Sequence, residues 1–161
     1  MTTATNETQI VASEEVPTIT IIREFDAPPA KVFRAFTDRS LYARWIGPRS
    51  IETRIESWDC RTGGEWRYSA HRDGEEVASF YGSFHEVRPN TRLVQTFTWE
   101  GAPDGVSLET MTFEELPGGR TRSIAFSVVE SMEIQRAILA SGMDVGVREG
   151  YEKLDALLPT L

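Results

Sequence analysis

The chain has 161 residues, 40% hydrophobic and 26% charged, with a formal net charge of −8 at pH 7. That length suits one domain burying roughly 70% of its unfolded surface, so neither a disulfide nor a metal is required to hold a core. The acidity, with Arg residues scattered singly among acids, sets aside nucleic-acid binding, which selects a clustered basic face, and disfavours docking on anionic membranes.

A single cysteine, Cys60, excludes an intrachain disulfide and reads as a reducing compartment. Residues 1–17 lack the basic start and apolar run of a signal peptide, and no stretch approaches the roughly 18 apolar residues of a membrane span. A cytoplasmic location is expected.

Residues 1–16 are rich in Thr, Glu, Ser and Ala with little to bury, and predict a mobile tail ahead of one domain over residues 17–161. Residues 18–25 are β-branched and predict a first strand. Asp26 is placed to cap a helix opened by Pro28-Pro29, with Val32, Phe33, Ala35 and Phe36 at helical spacing. Asp38 is placed to cap a second short helix carrying Leu41, Tyr42 and Trp45, which Gly47-Pro48 ends.

About six further strands follow in meander, over 51–59, 65–71, 77–87, 92–100, 106–116 and 121–129. Turn signals at Gly63-Gly64, Asp73-Gly74, Pro89-Asn90 and Pro117-Gly118-Gly119 separate them. Ser131 is placed to cap the last element, with Glu133 in its first turn. Ile134, Ile138, Met143, Val147, Tyr151, Leu154 and Leu158 then predict one apolar stripe on a single helix of about 25 residues, ended by Pro159. Hairpin-linked strands with segregated helices make an α+β fold with an antiparallel sheet.

The chain holds no P-loop, GxGxxG, CxxC, HExxH or GxSxG. His71 and His85 stand apart, out of phase with the apolar faces of their strands, and read as solvent-facing. Alternation puts Trp66 and Tyr68, Phe80 and Phe84, Leu93, Gln95, Phe97 and Trp99, Met111 and Phe113, and Ile124 and Phe126 on one sheet face. A close-packed core is the plainer account of any one of them. Tyr68, Gln95 and Tyr151, however, bring polar tips to that apolar surface, and a few polar groups on apolar walls describe a small-molecule pocket.

Gly142, Gly146 and Gly150 recur every four residues in the final helix, each costing roughly 0.5–1 kcal/mol relative to Ala. Such a stripe implies a close neighbour: a strand, a partner chain or a ligand. Arg23, Arg44 and Arg49 near the first helices are candidates for an anionic ligand head, with surface ion pairs the plainer reading.

Four stretches then carry a resemblance. They are Phe25-Asp26-Ala27-Pro28-Pro29 followed by Val32-Phe33; Trp45-Ile46-Gly47-Pro48; Phe80-Tyr81-Gly82-Ser83-Phe84 leading to Pro89 and Arg92-Leu93-Val94-Gln95-Thr96; and Ala140-Ser141-Gly142-Met143 with Gly146, Tyr151 and Leu154. Over residues 18–158 the sequence resembles the START-like or Bet v 1-like (SRPBCC) superfamily, in the branch of the activator of heat shock protein 90 ATPase C-terminal domain. The resemblance implies a helix-grip fold: a curved seven-stranded antiparallel sheet wrapped around a long C-terminal helix, with two short helices after the first strand. It also implies a cavity between sheet and helix, used across the superfamily for apolar molecules. Many branch members carry Trp where this chain has Val147, so a large wall residue is missing here.

The leading expectation is a non-catalytic binding module for a small hydrophobic or amphipathic ligand. Its walls are expected at Phe33, Phe36, Trp45, Trp66, Tyr68, Phe80, Phe84, Gln95, Phe97, Trp99, Met111, Phe126, Met143, Val147 and Tyr151. The alternatives are a co-chaperone-like interaction module with an apolar patch around Trp45 to Pro48, and a cyclase- or hydrolase-type enzyme using Tyr68, His71 or Tyr151 in the same cavity. No catalytic residue, cofactor or metal ligand is assigned. A small apolar ligand is the expected partner, with a chaperone or a second copy of the chain as the others to test.

Overall fold

The computed structural model describes residues 6–161. Turn chemistry sets the register of its meander: Asp73 and Gly74 both take positive φ, 52° and 81°, as a two-residue hairpin with the right strand twist requires. Eight strands result: β1 Gln9–Ala12, β2 Thr18–Phe25, β3 Glu52–Trp58, β4 Glu65–Arg72, β5 Glu75–Arg88, β6 Arg92–Trp99, β7 Val106–Leu116 and β8 Arg120–Val128. They form one sheet in the order β1-β2-β8-β7-β6-β5-β4-β3, antiparallel throughout. The β2–β8 pair joins the two ends of the domain.

The sheet has one strand more than expected, and the extra one lies in the expected tail. Gln9–Ala12 pairs with Ile19–Ile22, and Thr8 just before it accepts from Arg23 Nε at 3.3 Å and gives its carbonyl to Arg148 at 2.7 Å. Those side-chain bonds, distant in sequence, tie down a segment with little apolar surface of its own. The same expectation for residues 1–5 lies outside the described residues.

Helices α1 Pro29–Thr37 and α2 Arg39–Trp45 follow β2. Asp38 caps α2 as expected, accepting from the Ser40 and Leu41 amides. Asp26 does not cap α1. Pro28 takes the cap position, and Asp26 binds Arg120 Nε at 2.8 Å instead.

The final helix is divided into α3 Met132–Ala140 and α4 Met143–Leu157, closed by a 3₁₀ turn at Leu158–Thr160. Ser131 caps α3 as expected. At the break the Ser141 hydroxyl donates to the Ile138 carbonyl at 2.6 Å, and Gly142 takes a left-handed φ of 84°. This ending of a helix on a left-handed glycine interrupts a hydrophobic stripe that runs on without a break in sequence.

The core gathers Phe25, Val32, Phe33, Phe36, Leu41, Trp45, Phe84, Leu93, Phe113, Leu154 and Leu157 where α1, α2 and the second half of α4 close over the concave sheet face. A Cβ on Gly150 would stand 2.9 Å from the Trp45 carbonyl oxygen, and one on Gly146 3.4 Å from Pro48 Cδ. The two glycines therefore let α4 press on the chain's own Trp45–Pro48 segment. Among the described residues, no helix is long and apolar enough to cross a membrane.

Candidate functional site

Cross-strand pairs place their side chains on one face, so register fixes what looks at the helices. Reading from β4 to β8, the concave face carries Trp66 and Tyr68; Phe80, Gly82 and Phe84; Leu93, Gln95, Phe97 and Trp99; Ser107, Glu109, Met111 and Phe113; and Ser123, Ala125 and Ser127. Burial changes along this face. Leu93, Phe84, Phe113 and Met111 are buried under the helices, and Trp66, Tyr68, Gln95 and Ser107 are buried too, whereas Phe97, Phe80, Glu109, Ala125 and Ser127 are partly accessible and Trp99 is 50% exposed. The face is filled at one end and partly accessible at the other, along Phe80, Phe97, Trp99 and Glu109.

The expected wall residues divide accordingly. Phe33, Phe36, Trp45, Phe84 and Met111 belong to the closely packed core. Trp66 and Tyr68 on the concave face and Tyr151 on α4 are buried in the same core, Gln95 is buried on β6, and Phe80, Phe97 and Val147 pack against that core while partly accessible. Met143 opens α4 and is partly exposed. Trp99 stands at the rim, its indole folded over Gly101, where an added Cβ would come within 2.3 Å of the ring.

Phe126 requires a correction. It pairs with Thr110 and Thr20 on the convex face and is 41% exposed. Apolar residues in β8 alternate on the outer side, while the inward positions are small (Ser123, Ala125, Ser127), so parity taken from hydrophobicity points the wrong way.

The polar centre of the concave face is a residue absent from the expected set. Glu109 lies directly opposite Gln95, whose amide donates to its Oε1 at 3.0 Å. Burial pushes the Glu109 carboxyl up to about 7, against the stabilising effect of that hydrogen bond on the charged form. Burial also raises the phenols of Tyr42, Tyr68 and Tyr151, the last to about 12, and the nearby Glu109 charge raises each further. On the same face Trp66 Nε1 is buried without a hydrogen-bond partner, and Ser123 Oγ lies beside the Tyr151 hydroxyl. Glu109 was within reach of the sequence: counting back two from the inward Phe113 and Met111 arrives at it.

Arg23 is the buried cation of this region. Its guanidinium, 2% exposed, binds both Asp155 carboxylate oxygens at 2.9 and 2.6 Å and lies 5.0 Å from the Phe25 ring centroid. The ion pair, with hydrogen bonds to Thr8 and the Glu24 carbonyl, occupies the guanidinium. Arg49 meets Glu152 at the surface, and Arg44 is exposed.

The candidates for catalysis do not assemble. His71 Nε2 lies 2.8 Å from Ser69 Oγ, but Ser69 is buried and His71 Nδ1 has no partner to orient it. Among the described residues, no three His, Cys, Asp or Glu side chains converge in a way that could hold a metal ion. Two surface clefts of about 380 and 400 Å³, one at the β3–β4 corner beside Trp58 and one beside Asp38 and Arg39, draw on none of the expected wall residues.

A curved antiparallel sheet gripping a C-terminal helix, open at one end of its concave face, defines a helix-grip domain of the SRPBCC, or Bet v 1-like, kind. The family described as Activator of Hsp90 ATPase homolog 1-like protein matches residues 26–159, and the chain belongs to that family. A solution structure from Arthrobacter aurescens is similar over 95% of this chain and 92% of its own, at 28% identity and a TM-score of 0.85. A crystal structure from Mycobacterium smegmatis is similar over 94% and 97%, at 26% identity and a TM-score of 0.84. One from Chromobacterium violaceum covers 88% and 96%, at 27% identity and a TM-score of 0.77. A search of curated proteins returned no match.

Proposed function

We propose that the protein is a non-catalytic binding module that holds a small hydrophobic or amphipathic ligand at the open end of the concave face. The observation that carries this reading is the Gln95–Glu109 pair set among aromatic rings on a partly accessible surface. A domain of this size buries polar groups only with partners, and here the Glu109 carboxyl has one hydrogen bond, from Gln95, and the Trp66 indole N–H has none. The aromatic walls supply apolar area worth roughly 25 cal/mol per Å² on burial, and the polar atoms orient what they meet.

Thermal unfolding against a panel of fatty acids, sterols, flavonoids and aromatic amines tests this reading. A ligand at 100 times its dissociation constant should stabilise the fold by about 2.7 kcal/mol, a shift of several degrees. A flat panel from a well-folded protein would refute it.

The second reading is a co-chaperone-like interaction module, for which the family description and the convex face speak. Leu108, Phe126 and Val128 are exposed on that face, whereas Trp45 is buried and Trp45–Pro48 is clamped against α4. Failure to recover a chaperone with the wild-type protein under conditions that retain weak complexes would remove it.

A further inference from the structure

We propose that the accessible end of the concave face selects amphipathic amines, with a cationic nitrogen set against the Glu109 carboxyl and an apolar or aromatic body laid on the neighbouring rings. This selectivity presupposes the binding module described above and specifies the chemistry of its ligand.

The rings beside Glu109 are arranged differently from those of the core. Trp66, Tyr68, Phe80 and Phe97 form a closed circuit with successive centroids 5.4, 5.2, 5.2 and 5.5 Å apart and interplanar angles between 21° and 41°. In the core, Phe113 meets Phe33 and Phe36 edge to face, at 82° and 75°. Edge-to-face rings satisfy one another's quadrupoles; in the circuit Trp66 and Tyr68 stack on one another and are buried, and the partly accessible Phe80 and Phe97 rings offer electron-rich surface, for which a cation is the favoured neighbour. The Trp66 ring lies flat because Gly82 sits under it: an added Cβ there would stand 2.8 Å from the indole and 2.0 Å from the Thr96 carbonyl oxygen.

Glu109 borders this platform, since Gln95, its cross-strand partner, is two residues from Phe97 on β6. A carboxylate offers about four acceptor sites, and the described residues fill one of them, from Gln95. An ammonium brings up to three donors. Trp66 Nε1, in a residue 2% exposed and without a partner, remains for an acceptor elsewhere on the ligand.

An anionic head is disfavoured by the same charges. It would face Glu109, and Arg23 is already engaged by Asp155. The net charge of −8 adds a field that draws cations toward the protein.

The titratable groups around Glu109 are Tyr42 from α2, Tyr68 from β4 and Tyr151 from α4, with Arg23 from β2 held in its ion pair. Burial keeps the three phenols neutral between pH 6 and pH 8, which leaves Glu109 as the group whose charge changes there. Amine affinity therefore rises with pH over that window while the amine itself stays protonated.

Calorimetric titration with three probes of one shape, naphthylmethylamine, naphthylmethanol and naphthoate, tests the proposal on the full chain. The amine should bind at least tenfold tighter than naphthoate at pH 8 and weaken about tenfold at pH 6, with the alcohol nearly unchanged. Glu109→Gln should erase the amine's advantage and its pH dependence while still binding the alcohol. If that variant does not fold, the wild-type pH profile decides by itself. Equal binding of all three probes, or a preference that survives Glu109→Gln, overturns amine selectivity and leaves the binding module standing. Binding of none of the three, together with a flat thermal panel, overturns both.

Discussion

The two ends of the concave face share a sheet, a strand alternation and a supply of aromatic residues, yet one is solid and the other is not. At the closed end α1, α2 and the last turns of α4 lay large side chains across β5, β6 and β7, and Phe113 is wedged between Phe33 and Phe36 at 5.5 and 5.1 Å. Beyond it lie α3, whose only buried residue is Gln135, and the start of α4, where Met143 and Val147 are partly exposed. Gln135 spends its amide on the Ser13 and Thr18 carbonyls of the β1–β2 connection, so α3 is bound to the margin of the sheet. The filled and the partly accessible parts thus differ here in what covers the sheet, while the sheet itself follows one pattern throughout.

The strongest break in this comparison is Phe113→Ala. It should cost about 3–5 kcal/mol in urea unfolding, because α1, which carries both Phe33 and Phe36, cannot collapse into the space. A loss near 1 kcal/mol would mean the closed end is as loose as the open one.

Glu109→Gln should act in the opposite direction and depend on pH. The folded carboxyl, raised to about 7, binds more protons than the unfolded one between its ordinary value of 4.5 and 7. Stability therefore falls as pH rises through that window and levels off above it. The Gln variant should match wild type near pH 5 and exceed it by about 2–3 kcal/mol at pH 8. Parallel unfolding curves at both pH values would show that Glu109 is solvated.

The smallest stability effect belongs to Trp99→Ala at the rim, about 1 kcal/mol, since half of the side chain is already exposed. Ligand affinity should fall more than stability does, and a variant that binds the panel unchanged would place the rim outside the site.

Much of the architecture was legible in the chain. The meander, both short helices, the Asp38 and Ser131 caps and the aromatic face from Trp66 to Phe113 follow from alternation, turn residues and capping chemistry, all of which act within a few residues. The four matching stretches added the helix-grip arrangement. The site was less legible. Hydrophobic parity puts Phe126 on the wrong face because β8 places its bulkier residues outward, and it hides Glu109 because an acidic residue in an alternating strand ordinarily faces solvent.

The sequence by itself determined the elements, their order and the existence of one face rich in aromatic rings, because those properties depend on local sterics and short-range periodicity. Only the tertiary structure decided where that face is filled and where it stays open. The glycine stripe could equally have met a strand, a partner or a ligand, and folding set it against Trp45–Pro48. The tail could have stayed free, and Arg23 and Arg148 drew Thr8 and β1 onto the sheet. Each of these outcomes depends on groups brought together from distant parts of the chain, and no local pattern encodes that meeting.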